Sequence, residues 1–303
     1  MTSLPRTLAP WKLRTRVLEL GRRTLIMGVI NITPDSFSDG GHFLHPDAAI
    51  AHALRLLDEG ADILDLGAES TRPGSQAGDA AAAAVSAEEE QQRLLPVIEG
   101  ILKAAPRAVI SADTYKSATS RGALVAGAEI INDVSGFSWD EAMPAVCAQA
   151  GCGVVLMHTR GRPDEWRAQS QLPDVALMDL LRSGLSESLE ASRRAGIAPE
   201  SIVLDPGYGF GKKFDENYTV LARQAELLEM GRPLLAGVSR KSFLGHTLSA
   251  FYGGNQAPVE ARETAGIAAL VVAILHGASI VRVHDVRPAV EAARIADAVL
   301  SAV

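Results

Sequence analysis

Ile202-Val-Leu-Asp205-Pro-Gly-Tyr-Gly-Phe-Gly-Lys212 runs three apolar residues directly into an acid, a proline and three alternating glycines. The apolar run reads as a short buried strand, and the Pro/Gly-rich segment as the turn that leaves it. Asp205 then falls at the strand's end. An unpaired carboxylate is costly to bury, so Asp205 is expected at the mouth of a pocket or against donors. The glycines let backbone approach a ligand closely.

The same pattern recurs along the chain. Strands are expected at Leu25–Ile30, Asp62–Leu66, Ala108–Ser111, Glu129–Ile131, Gly153–Met157, Ile202–Leu204, Leu234–Gly237 and Ile280–Val283. Helical patterns lie between them. In one, Met178, Leu181, Leu185 and Leu189 mark a single face; in the last, Val290, Ala293, Ala296, Leu300 and Val303 do the same. Gly60, Gly127, Gly151, Gly196, Gly231 and Gly277 each follow a helix pattern and precede a strand, where a helix end takes positive φ. Eight short strands alternating with amphipathic helices, without a visible sheet reversal, predict a single closed (β/α)8 TIM barrel of α/β class. The barrel is expected over residues 25–303. Residues 1–24 are expected to hold a loose arm, to about residue 10, and then a small β-hairpin, with Leu13–Leu20 alternating as a strand and Gly21-Arg-Arg23 as its turn, that plugs the barrel's floor. The Ala-rich Gly78–Ala87 stretch belongs to the long loop after the second strand.

Composition narrows the function. The 303 residues are 47% hydrophobic, enough for a sizeable core, and the net charge of −7 comes with no basic block. Nucleic acid is therefore not an expected partner. The N-terminus shows no signal peptide, and the apolar stretch Ala265–Leu275 is too short to span a membrane. Cys147 and Cys152 are read as core thiols of a reduced, cytoplasmic protein.

In such a barrel, chemistry gathers at the C-terminal ends of the strands. Those ends supply Asn31, the Glu69–Gly74 loop with Thr71, Arg72 and Pro73, Asp113, Asn132, His158, Asp205, Ser239-Arg-Lys241, and Arg282 with His284. Helix capping explains one Asp or Asn at a time. It does not explain Lys241, Arg282 or His284. Asp113, Asn132 and Asp205 suit a flat heterocycle rich in N–H donors, and Lys241 suits a carbonyl or ring nitrogen on the same ring. Asn31, Arg72, Arg282 and His284 suit a phosphate or pyrophosphate, with or without a hard metal ion. Neither a GxGxxG after the first strand nor a Walker motif is present. Asp35 and Asp39 are turn formers or site groups, and His158 is a structural imidazole or a pocket wall. Asp133 and Asp285 are expected to partner nearby arginines and Arg160 to be a solvated loop charge, while Ser138-Trp-Asp140 is an unusual turn outside the long sequence motifs.

Four long stretches in order, Gly28–Gly41, Asp65–Gly74, Asp205–Lys212 and Gly237–Gly245, supported by Asp113–Lys116, Asn132–Gly136 and Arg282–Asp285, are similar to those of the dihydropteroate synthases. The resemblance covers nearly everything from Leu25 onward. It implies condensation of 6-hydroxymethyl-7,8-dihydropterin pyrophosphate with p-aminobenzoate, and a fold that is often a homodimer and is the target of sulfonamides. Residue by residue, it implies that Asp205, Asn132 and Asp113 take the pterin edge, with Met157 beside them. Lys241 takes the pterin carbonyl side and Arg282 its face. Asn31 is implied to hold Mg2+ and pyrophosphate, with Arg282 and His284 completing the anion site. Phe37, Thr71, Arg72 and Pro73 would close over the site and shape the p-aminobenzoate pocket with Ser239, Lys241 and Phe210. Asp113, Lys241 and Arg282 are the expected catalytic groups. Met157-His-Thr159-Arg160-Gly161 departs from the usual family pattern, which leaves the effect of Thr159 on the pterin wall open. Two rivals are a methyltetrahydrofolate methyltransferase-like barrel, which needs no pyrophosphate groups, and a non-catalytic pterin-binding paralogue.

Overall fold

The structure is a computed structural model that describes residues 8–33, 46–70, 77 and 84–302. Phe37, Thr71, Arg72 and Pro73, with Asp35 and Asp39, lie outside them. An antiparallel hairpin, β1 (Ala9–Lys12) and β2 (Val17–Leu20), precedes the barrel. The barrel strands are β3 (Leu25–Asn31), β4 (Ile63–Gly67), β5 (Ile110–Asp113), β6 (Ile130–Asp133), β7 (Gly153–Met157), β8 (Ile202–Asp205), β9 (Leu234–Ala236) and β10 (Ala278–Val283). They close in sequence order, all parallel, with β10 pairing back onto β3. Around them run α1 (Pro46–Glu59), α2 (Ala87–Ala104), α3 (Ser117–Ala126), α4 (Met143–Ala150), α5 (Asp174–Ala195), α6 (Phe214–Arg223), α7 (Ser242–Thr247), α8 (Glu263–Leu275) and α9 (Val286–Ser301).

The expected strands are all present, with ends displaced by one or two residues. The six glycines expected at helix ends do adopt positive φ, between 63° and 113°. The hairpin differs more. Its first strand starts at Ala9, inside the stretch read as a loose arm, and Leu13–Arg16 forms the turn. The alternating basic and apolar residues from Leu13 onward mimic a strand. Only Val17–Leu20 is a strand; Leu13–Arg16 serve the turn, which Glu129 secures through Thr15 N at 2.8 Å and Arg16 Nε at 3.2 Å, and Gly21–Arg23, expected as the turn, links β2 to β3.

Alternation along the strands sorts side chains inward and outward. The inward residues Leu25, Met27, Ile63, Val109, Ile130, Val155, Val203, Leu235 and Ile280 pack with Trp11, Leu13 and Leu20 of the hairpin. The hairpin is therefore the barrel's floor, as expected. Trp11 is fully buried and donates its indole N–H to Ser201 O at 2.9 Å. Gly153, at the start of β7, makes room for it: a Cβ there would lie 2.5 Å from Leu13 Cδ2 and 3.2 Å from Trp11 Nε1. Outward residues such as Ile26, Ile30, Leu64, Leu66, Ile131 and Leu204 join the helices in a separate outer layer. Cys147 and Cys152 are buried and unpaired in that layer.

Candidate active site

With hydrophobic residues filling the lower interior, the inward positions at the top of the strands carry the polar groups. Asp113 ends β5, Asn132 sits within β6, Met157 ends β7, Asp205 ends β8 and Arg282 lies in β10. Arg282 binds two carboxylates: its Nε lies 2.6 Å from Asp65 Oδ2, and its Nη2 2.6 Å from Asp113 Oδ2. Asn132 Nδ2 donates to the same Asp65 oxygen at 3.0 Å. Asp205 Oδ1 accepts from Gly207 N at 2.7 Å, so the turn engages one of its two oxygens. Gly207 must be glycine: its φ is +71°, and a Cβ would sit 2.0 Å from His158 O.

Electrostatics follow from burial. Asp113 is pushed up to about 7, first by burial and then by Asp65 and Glu90, against the pull of Arg282 and Lys241. Burial also raises Asp205, opposed by the Gly207 N–H and by Lys241, Lys212 and Arg282. Lys241 falls to about 7, through burial and then Arg282. Burial works against the Arg282 charge, but Asp65 and Asp113 overcome it and raise the guanidinium above its ordinary value. Such displaced groups converging on one mouth are the signature of a working site.

Lys241 Nζ lies 4.0 Å from the centre of the Phe210 ring. Phe210 in turn meets Trp166 edge-on and packs with Met157, Tyr115 and Val134. Arg240, just before Lys241, holds φ at +58° and is clamped by Asp285 through Nη2–Oδ1 at 2.7 Å. His284 Nδ1 contacts Ser239 Oγ at 3.1 Å. On this side a cleft of about 500 Å3 is lined by Asn31, His52, Arg55, Arg240, His284 and Asp285, among others. Its cationic and imidazole lining suits an anion. Among the described residues, no cluster of three His, Cys, Asp or Glu side chains could cage a metal. Asn31 offers one neutral oxygen, which fits a hard ion completed by phosphate and water oxygens.

Several expectations change. Asp133 pairs with no arginine among the described residues; it points outward, and its carboxylate accepts from Ser135 N at 2.8 Å and Phe137 N at 3.0 Å. Asp285 does pair with an arginine, Arg240. Arg160 is not a solvated charge: it bonds Glu216 at 3.3 Å and Ser170 O at 2.9 Å. Thr159 turns to Gly161 O. The Trp139 ring packs edge-on to Tyr115 at 5.1 Å, beside Met157 and Phe210. His158 is structural: it is buried, Lys212 Nζ lies 3.1 Å from its Nδ1, and burial with Lys212 and Arg160 holds its pKa well below the usual range.

Sequence reasoning gave no role to Asp65 or Lys212. Asp65 interrupts the apolar run Ile63-Leu-Asp-Leu66, and that interruption was the available signal. Lys212 ties the glycine turn together, donating to Gly207 O at 2.8 Å.

The comparisons agree with this geometry. Residues 27–284 match the pterin binding enzyme family. The dihydropteroate synthase of Escherichia coli K12 is 43% identical over 277 residues, covering 91% of this chain and 92% of its own. The Xanthomonas albilineans dihydropteroate synthase solved with 4-aminobenzoic acid superposes with a TM-score of 0.84 at 38% identity, covering 98% of this chain and all of its own. That of Coxiella burnetii, solved with pteroic acid, gives 0.83 at 35%, covering 97% of this chain and all of its own. A closed barrel with its polar crown at the strand ends and sequence likeness along nearly its whole length thus place this chain in the pterin-binding enzymes, as a member of the dihydropteroate synthases.

Proposed function

We infer that the chain condenses 6-hydroxymethyl-7,8-dihydropterin pyrophosphate with p-aminobenzoate, giving 7,8-dihydropteroate and pyrophosphate for folate synthesis. What carries this reading is the convergence of Asp113, Asn132, Asp205, Lys241 and Arg282 on one mouth, with the cationic cleft beside it. Asp205 Oδ2 and the Asn132 carbonyl accept N–H groups of the pterin edge. Lys241 donates to its carbonyl side, and the guanidinium of Arg282 lies at its face. Met157 supplies apolar wall beside the pterin, and Phe210, with Lys241 over its ring, walls the p-aminobenzoate. Asn31, Arg282 and His284 meet the pyrophosphate.

The bond from the exocyclic pterin carbon to pyrophosphate breaks first, its electron pair leaving with the oxygen. The ring delocalises the cation so formed, and ionised Asp113 stabilises it. The amine nitrogen of p-aminobenzoate then attacks that carbon and loses a proton to solvent. No covalent intermediate with the protein forms. Asn31 would hold Mg2+, which when bound neutralises charge on the departing pyrophosphate. Phe37, Thr71, Arg72 and Pro73 are proposed to close the site, with Ser239 beside the p-aminobenzoate.

A homodimer is proposed as the assembled form. Buried Gly266, Ala269, Leu270, Ala273 and Ile274 give α8 its core face, while Thr264, Ala268 and Val272 form an exposed stripe of small and apolar residues on the other side. Sedimentation velocity of wild type and of Ala268→Arg reads this directly. Cytoplasmic residence is proposed from the unpaired, buried Cys147 and Cys152. No helix of the described residues is long and apolar enough to cross a membrane.

The deciding assay follows pyrophosphate release and pteroate by chromatography, with and without p-aminobenzoate. Amine-dependent dihydropteroate is the expected result. Pterin binding without product would move the reading to a non-catalytic paralogue or to methyl transfer.

A further inference from the structure

Asp65 lies one inward step below the crown of the barrel, on β4, and is fully buried. Its Oδ2 accepts from both Asn132 Nδ2 and Arg282 Nε. Its Oδ1 has no hydrogen-bond partner among the described residues, and neither does Ser111 Oγ, its register partner on β5. A buried carboxylate left half satisfied is costly, so a purely structural purpose is a poor account of it.

Its contacts have a directional consequence. An amide has one donating and one accepting end. Because Asn132 spends Nδ2 on Asp65, its carbonyl oxygen is the end turned to the mouth. Arg282 is fixed in the same way, with Nε turned down to Asp65 and Nη2 turned across to Asp113. We propose that Asp65 is the positioning residue of the pterin pocket, setting the Asn132 amide so that this point of the site accepts an N–H donor and setting the plane of Arg282. The pocket's preference for a heterocycle with a donor there then comes from a residue that does not touch it. This rests on the pterin reading above.

The test is calorimetric binding of pteroic acid to wild type, Asp65→Leu, Asp65→Asn, Asn132→Ala and the Asp65→Leu/Asn132→Ala pair. Asp65→Leu keeps bulk but removes the acceptor, so affinity should fall about 10- to 100-fold, the cost of one unsatisfied buried group. Asp65→Asn keeps an acceptor oxygen and should bind within about threefold of wild type. With Asn132 already Ala, the further loss from Asp65→Leu should shrink to the part carried through Arg282, because the Asn132 contact is already gone. Equal losses in both backgrounds, or alike behaviour of the Leu and Asn variants, would overturn the proposal. Wild type that fails to bind pteroic acid would remove the pterin reading itself. If Asp65→Leu does not fold, wild type still decides. The Asn132 side-chain amide proton should be protected from exchange and unmoved by pteroic acid in NMR spectra, and rapid exchange or a broken bond on ligand addition would refute the assignment.

Discussion

The ammonium of Lys241 stands 4.0 Å over the centre of the Phe210 ring. This places a half-buried ammonium against an aromatic face instead of a carboxylate, with Asp205 and Asp113 near enough to oppose the fall of its pKa. A desolvated cation–π contact contributes roughly 1–2 kcal/mol. Phe210→Leu should therefore raise KM for p-aminobenzoate by about 5- to 30-fold, with a smaller change in pterin affinity. Steady-state kinetics with each substrate varied in turn checks this; an unmoved p-aminobenzoate KM would show that the ring does not position Lys241 for the amine.

The pH profile should carry the mark of Asp113. Its carboxyl is raised to about 7 and must be ionised to stabilise the cation, so kcat/KM should climb as pH rises through about 7. Asp113→Asn should lose that limb and most of its kcat. Stability runs the other way. Between the ordinary carboxyl value of 3.8 and about 7 the folded carboxyl holds a proton that the unfolded one releases, so this group's contribution falls as pH rises across that window. Melting curves of wild type and Asp113→Asn across the same range separate the two effects.

Lys116 bonds Glu69 and lies 3.2 Å from Glu90, which is 1% exposed. Lys116→Met strands both acids and should cost about 3–5 kcal/mol by urea denaturation at neutral pH. Burial already raises Glu90, and Lys116 opposes the shift. Without the lysine the native state takes up the proton sooner, so the loss should diminish as pH falls.

Asn31→Ala should raise the Mg2+ concentration needed for half-maximal rate, with little effect on melting, since Asn31 is partly exposed at a strand end. Titrating Mg2+ into EDTA-treated protein measures it, and an unchanged requirement would place the ion elsewhere. A sulfonamide should compete with p-aminobenzoate and not with the pterin pyrophosphate, which double-reciprocal kinetics can read.

The crown was legible because strand ends are punctuated: an apolar run stops at a polar residue, and a turn follows. Asp113, Asn132, Asp205 and Arg282 were found this way, and the structure brings them together. Asp65 escaped because it interrupts a run without ending it, and nothing local says that its partners lie 67 and 217 residues away. Arg160 escaped for the same reason, since its carboxylate partner, Glu216, is 56 residues on. The hairpin was found but misplaced. Its first strand contains Pro10, which an edge strand tolerates and a periodicity reading penalises.

Trp11 is bound to Ser201, 190 residues downstream, and β3 completes its pairing with β10, which begins at Ala278. During synthesis this segment therefore leaves the ribosome with an indole and several large apolar side chains that the residues covering them have yet to follow. At about 5–20 residues per second, that exposure lasts on the order of ten seconds or more before residue 201 emerges. The hairpin that floors the barrel is thus made well before the residues that bury it. Chaperone dependence should concentrate at this hairpin, and its apolar residues should limit yield in the cell before they limit the finished fold.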